Sequence, residues 1–337
     1  MKIYITFIIT MLFVVSCIPG ENPVKPYDRG GVLESSVNIG HFYAEQIYFS
    51  LEQYEVVSQN HITDWDIGFA CAENDFVIIL NYGKFMKVVE LEAVDFDTVN
   101  KETINTIPDE NWRYDDSEGD KDSTAIGTWW SSDGDSISSD EKVYIIDRGL
   151  DEKAKKQGTV KFQITDFKDD TYSIKFADLK DGVVYSAQIT KDATRNYIQF
   201  SFDDGGKTVK LEPEKTKWDI IFSKYTQLLY TSEGDEIWYS VTGAYLNPNN
   251  VETAFLMSDD FQSITLGTAD TLDFSFARNA IGHTWKYYDM QASSYFVYPE
   301  MVYIIKNVSG FYFKLHFVDF YDNSGNKGVP KFEYQKL

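Results

Sequence analysis

Phe311-Tyr312-Phe313-Lys314-Leu315-His316-Phe317 sets Phe311, Phe313, Leu315 and Phe317 two residues apart, on one face of an extended strand. Phe76-Val77-Ile78-Ile79-Leu80 and Val143-Tyr144-Ile145-Ile146 are short apolar runs bounded by polar residues, and such runs recur along the chain. With 23 Tyr, 24 Phe and 7 Trp against only 8 Pro, this spacing of strands and turns predicts a mostly β chain of antiparallel, sandwich-like construction. One helix is expected, near residues 98–107. The run from Asp115 to Asp122 lacks the spacing of a calcium loop and reads as a solvated loop.

The sequence also repeats. Trp65-Asp66-Ile67-Gly68-Phe69 returns as Trp218-Asp219-Ile220-Ile221-Phe222, 153 residues later. Ile47-Tyr48-Phe49-Ser50-Leu51 precedes the first motif, and Ile198-Gln199-Phe200-Ser201-Phe202 precedes the second. Val143-Tyr144-Ile145-Ile146 recurs unchanged as Val302-Tyr303-Ile304-Ile305. Lys161 and Lys314 occupy matching strands at the same offset as the two Trp-Asp pairs. Four blocks in one order indicate duplication. Two tandem domains are therefore expected, residues 35–190 and 191–337, each with its own core. In each Trp-Asp pair the Trp should fill a core, while the Asp accepts bonds from a neighbouring turn.

At the N-terminus, Lys2 is followed by an uncharged apolar run ending at Val14-Val15-Ser16-Cys17. The run is too short for a stable membrane-spanning helix and has the length of a signal-peptide core. A Cys directly after it resembles the lipobox of bacterial lipoproteins. Residues 1–17 are thus read as a signal peptide, with Cys17 the lipidated residue. Residues 18–34, rich in Pro, are read as a tether. Membrane attachment is expected through the lipid, at the outer membrane, facing the cell surface or the periplasm. With Cys17 lipidated, Cys71 is left without a disulfide partner and is read as a small buried hydrophobe.

Lys217-Trp218-Asp219-Ile220-Ile221-Phe222, Trp285-Lys286-Tyr287-Tyr288, Val302-Tyr303-Ile304-Ile305-Lys306 and the strand from Phe311 to Tyr321 together resemble the HmuY family of haem-binding outer-membrane lipoproteins. The likeness covers residues 195–337 well and 35–180 more faintly. It implies a nearly all-β domain that holds one haem and passes it to an outer-membrane receptor. It also implies two axial His or Met side chains from loops beyond the Trp-Asp strand. In this region of the second half the candidates by residue type are Met257 and His283, with Met290 and Met301 in reserve; no residue is matched individually to the family's ligands, and His316 falls inside a strand. The first half offers only Met86, while His41 and His61 precede its Trp-Asp strand.

Binding of haem or another small ligand for uptake is the leading function. A ligand-free adhesion or assembly module, contacting protein or glycan through aromatics such as Trp129-Trp130, Trp238-Tyr239 or Tyr287-Tyr288, is the alternative. The net charge of −22 excludes nucleic acid as a partner. Four His residues, without a nucleophile elbow or phosphate loop, leave no constellation for catalysis, so the chain is read as a non-enzyme.

Overall fold

The computed structural model describes residues 29–134 and 136–337; Cys17, the signal peptide and most of the tether lie outside them. The strands form four antiparallel sheets stacked in layers. The first outer sheet runs in the order Val184–Thr190, Thr171–Asp178, Thr159–Lys168, Val143–Asp147 and Lys87–Leu91. The first inner sheet is Lys207–Val209, Tyr197–Ser201, Ile67–Ala70 and Ile78–Leu80. The second inner sheet is Glu236–Leu246, Ile220–Tyr230, Glu45–Ser50 and Glu55–His61. The second outer sheet is Leu33–Ser36, Lys327–Lys336, Tyr312–Tyr321, Met301–Lys306 and Glu252–Met257. A small hairpin accompanies each outer sheet, Trp130–Asp133 with Ser136–Ser139 and Lys286–Asp289 with Ser294–Val297.

Strand periodicity explains the layering. On Glu45–Ser50, Ile47 and Phe49 face the core between the second inner and outer sheets, while Tyr48 faces the core between the two inner sheets. Ile220 and Phe222 join the former and Ile221 the latter. Ile78 and Leu80 point to the first outer sheet and Ile79 to the middle. Strands apolar on both faces must be covered on both, which is why these runs lack polar alternation. Phe313, Leu315 and Phe317 are fully buried as expected, but Phe311 precedes its strand and is exposed. Trp65 and Trp218 both fill the middle core. The outer faces are covered by short turns of helix, among them Lys101–Ile104, within the span expected to be helical, and Leu266–Ala269.

The sheets cross the expected boundary at residue 190. Glu45–Ser50 does not pair with Ile67–Ala70, the strand of its own Trp-Asp motif. It pairs with Ile220–Tyr230, placing Phe49 opposite Ile220 and Ile47 opposite Phe222. Ile67–Ala70 pairs instead with Tyr197–Ser201. Leu33–Ser36 closes the second outer sheet and Val184–Thr190 the first. Residues 35–190 and 191–337 are therefore not two independently cored units: each lends its opening strands to the other.

The two ends of the stack are held alike. Asp66 Oδ2 accepts from Phe202 N at 2.8 Å, and Asp219 Oδ2 from Leu51 N at 2.7 Å. Asn81 Nδ2 donates to the carbonyls of Ile62 and Trp65, as Asn247 Nδ2 does to those of Lys215 and Trp218. Lys161 Nζ donates to the carbonyls of Phe96 and Val99, as Lys314 Nζ does to those of Phe261 and Ile264. Both Asp residues accept turn amides as the sequence predicts, yet their charge environments differ. Burial opposes the Asp66 charge, but the buried Lys84 ammonium and Arg148 guanidinium outweigh it and hold the carboxyl below the usual range. Asp219 has backbone donors only, and burial lifts it to about 6. The Asp115–Asp122 segment is not simply solvated. Asp115 is buried, accepts from Leu80 N and Ala125 N, and is pushed up to about 7 by burial.

Candidate functional site

The sequence-derived ligand candidates gather around the second outer sheet. Met257 is the last residue of Glu252–Met257, a strand position rather than the loop expected for it. Its register partner is Met301, with Phe255 opposite Tyr303 two positions along, so all four share the sheet face turned toward the second inner sheet. That face is incompletely covered: Phe255 is 45% and Met257 60% exposed, whereas Tyr303 is buried. Met290 lies in the turn of the Lys286–Asp289 hairpin and is 81% exposed.

His283 does occupy a loop. Gly282, at φ +66, bridges to Ala244 of the second inner sheet and turns the chain. A Cβ there would approach the carbonyl of Asn279 to 2.8 Å, so only glycine suits both the space and the dihedral. The His283 Nδ1 lies 3.4 Å from Tyr225 Oη. Burial pushes the imidazole down to about 4, and the Lys286 ammonium adds to the shift, so the ring is neutral at physiological pH. Burial, and after it the neighbouring Tyr303 phenol, opposes ionisation of Tyr225, and the Tyr303 ring meets Phe255 at 5.7 Å. Tyr225, Tyr303 and Phe255 thus form an aromatic strip between His283 and the strand that carries Met257.

The arrangement can be tested against what a haem iron requires. Two axial donors must approach opposite faces of one porphyrin plane. Met257 and Met301 stand side by side on one sheet face and point the same way, so they do not make such a pair. A neutral imidazole with one ring nitrogen engaged by a hydroxyl is the state in which histidine binds a metal through the other nitrogen. His283 meets that condition, and the exposed Met257 thioether supplies a soft second donor. By residue type the two are donors of the kinds that haem iron takes, an imidazole nitrogen and a soft thioether sulfur. His316 does not contribute, because its Nδ1 lies 2.7 Å from Pro299 O, its Nε2 3.0 Å from Glu333, and its ring stacks on Phe261. In the first half Met86 is buried, and His61 accepts from Thr63 N as a helix cap.

One feature here was not read from the sequence. Lys286 is buried over the Trp285 ring at 4.2 Å, donates to Thr242 O, and is pushed down to about 7 by burial. An aromatic lysine-bearing strand was the only signal. Beside it, Tyr287 stacks on Tyr298 and Phe296, giving the hairpin an exposed aromatic flank. Cys71 is buried as expected, and burial raises its thiol pKa. Among the described residues no cluster of three or more His, Cys, Asp or Glu is arranged to hold a bare metal ion, and no helix is long and apolar enough to cross a membrane.

Among solved structures the chain is similar to apo PinO from Porphyromonas gingivitis, at 11% identity and a TM-score of 0.30, over 91% of this chain and 98% of that one. The apo HmuY analogue TFO of Tannerella forsythia gives 10% identity and a TM-score of 0.25, over 92% and 99%. A putative HmuY-like haem-binding protein from Bacteroides vulgatus gives 15% and 0.18, over 49% and 91%. No curated protein matches. The HmuY protein family matches residues 42–334, nearly all of the layered body, and the chain belongs to that family.

Proposed function

We propose that this chain binds haem, with His283 and Met257 as axial donors, and serves in its uptake as a lipoprotein anchored through Cys17 at the outer membrane. The observation that carries the reading is the His283 imidazole, neutral and oriented by Tyr225, at the end of an aromatic strip in a chain of the HmuY family. Haem would supply an iron with two open axial positions. The chain's own part is to present one nitrogen and one thioether and to shield the macrocycle with Phe255 and the Tyr287 flank. Delivery to an outer-membrane receptor belongs to the same proposal.

The test is a titration of residues 22–337 with haemin, oxidised and then reduced. A Soret band that shifts on reduction is expected. His283→Ala and Met257→Ala should each remove the low-spin spectrum, because each takes away one axial donor. Protonation of the free ring competes with iron, so affinity should fall only as pH approaches about 4, not near the ordinary histidine value. Retention of the low-spin spectrum in both variants refutes the pair and turns attention to Met290 and Met301.

The halves are further proposed to be duplicated units that exchange their opening strands, Leu33–Ser36, Glu45–Ser50 and Glu55–His61 from the first and Tyr197–Ser201 and Lys207–Val209 from the second. The matched sheet orders and the paired Asp, Asn and Lys bonds support this reading.

A further inference from the structure

The long hairpin of Ile220–Tyr230 and Glu236–Leu246 reaches beyond its sheet, since Glu45–Ser50 pairs only with Ile220, Ile221 and Phe222. The projecting part lies against the first half, where Trp238 stacks on Tyr114 with ring centroids 5.1 Å apart. Between them opens a cavity of about 410 Å³. This is within the ~300–1,000 Å³ common for small-molecule sites. It lies apart from the haem candidates: Met257, His283, Met290 and Met301 do not line it.

Its walls combine two chemistries. Trp238, Tyr239 and Phe85 supply aromatic surface, and Tyr239 is 57% exposed. Asp151, Glu152 and Lys224 supply charge. Asp151 Oδ1 is occupied by the amides of Lys153 and Lys155, while its other oxygen takes no bond among the described residues. Lys224 faces Glu152 and Asp151 without closing an ion pair on either among the described residues, and burial draws it toward its neutral form. Ser240 also lines the space, and its buried Oγ has no partner in the described structure. A buried hydroxyl left unpaired costs free energy unless something fills the place.

The floor is preorganised. Leu150 N donates to Lys84 O at 2.7 Å, and Gly149 lies so close to that carbonyl that a Cβ would meet it at 2.0 Å. Lys84 is itself locked to Asp66, which also binds Arg148. The segments 84–85 and 148–150 are therefore held by one buried ion network.

We propose that this cavity binds a neutral saccharide of one or two pyranose rings. The C–H face of a pyranose lies on the Trp238–Phe85 surface. Its hydroxyls donate to Asp151 and Glu152 and accept from Lys224 and Ser240. The paired carboxylates and the net charge of −22 exclude uronic or sialic acids.

The experiment is calorimetric titration of residues 22–337 with cellobiose, maltose, lactose and N,N′-diacetylchitobiose at millimolar concentration. Saturable binding of at least one is expected. Trp238→Ala and, separately, Glu152→Gln should each weaken it about tenfold while the haem titration is unchanged. Glu152→Gln keeps the shape of the side chain it replaces, so the test survives if Trp238→Ala disturbs the hairpin. No saturable binding by any probe, or binding indifferent to both substitutions, overturns the proposal and leaves the haem reading untouched.

Discussion

Deleting the first three strands, residues 29–61, should unfold the far end of the molecule rather than the near one. In the exchanged arrangement those residues place Val37, Ile39, Ile47, Phe49 and Leu51 in the core of the second inner and outer sheets, each almost fully buried. They place none in the core of the first inner and outer sheets. At ~1.5–3 kcal/mol per buried apolar side chain, the loss is about 8–15 kcal/mol. That is an upper figure, because the unfolded chain already hides part of this surface. It still rivals the ~5–15 kcal/mol that stabilises a whole domain. Hydrogen exchange read by mass spectrometry would compare residues 29–337 with 62–337. Protection should vanish from Met301–Lys306 and Tyr312–Tyr321 and persist in Thr159–Lys168 and Thr171–Asp178. The opposite pattern, with the second half protected and the first exposed, would refute the exchange and restore two side-by-side domains.

Asp66→Ala leaves the fully buried Lys84 without its counter-charge and should cost ~3–5 kcal/mol by urea denaturation. Asp219→Ala removes only acceptors of backbone bonds and should cost ~1–3 kcal/mol; equal losses would show that the ion network is not what Asp66 supports. Lys286 has a folded pKa of about 7, below its unfolded value, so above pH 7 the native state binds fewer protons than the unfolded chain. Stability should therefore rise with pH from about 7 toward the ordinary lysine range, by up to ~1.4 kcal/mol per unit, and Lys286→Met should abolish that rise. Cys17→Ala should move the protein from the detergent phase to the soluble fraction, and unchanged partitioning would remove the lipid anchor from the proposal.

The haem candidates were only partly legible beforehand. His283 in a Gly-His-Thr-Trp segment and Met257 after Phe-Leu could be picked out as donor types, and both were expected in loops, which only His283 occupies. That Met257 stands in a strand beside Met301, and that Tyr225 orients the imidazole, depends on contacts between segments far apart in the chain. Lys286 was invisible as a buried amine because the adjacent Trp285 covers it only together with Thr242 and Phe320, which lie far away in sequence.

Period-two alternation by itself determined that the chain is mostly β and marked the apolar faces of its core strands, Phe313, Leu315 and Phe317 among them though not Phe311. Those are local properties, set by the opposite directions of successive side chains in a strand. Strand partnership is another matter. Ile47-Tyr48-Phe49 and Ile198-Gln199-Phe200 present nearly the same faces, so either satisfies the apolar pattern beside either Trp-Asp strand. Only the tertiary structure decided between them. With the inner sheets packed face to face, Tyr48 meets Trp218 at 4.9 Å in the middle core, and the opening strands of each half complete the sheet of the other.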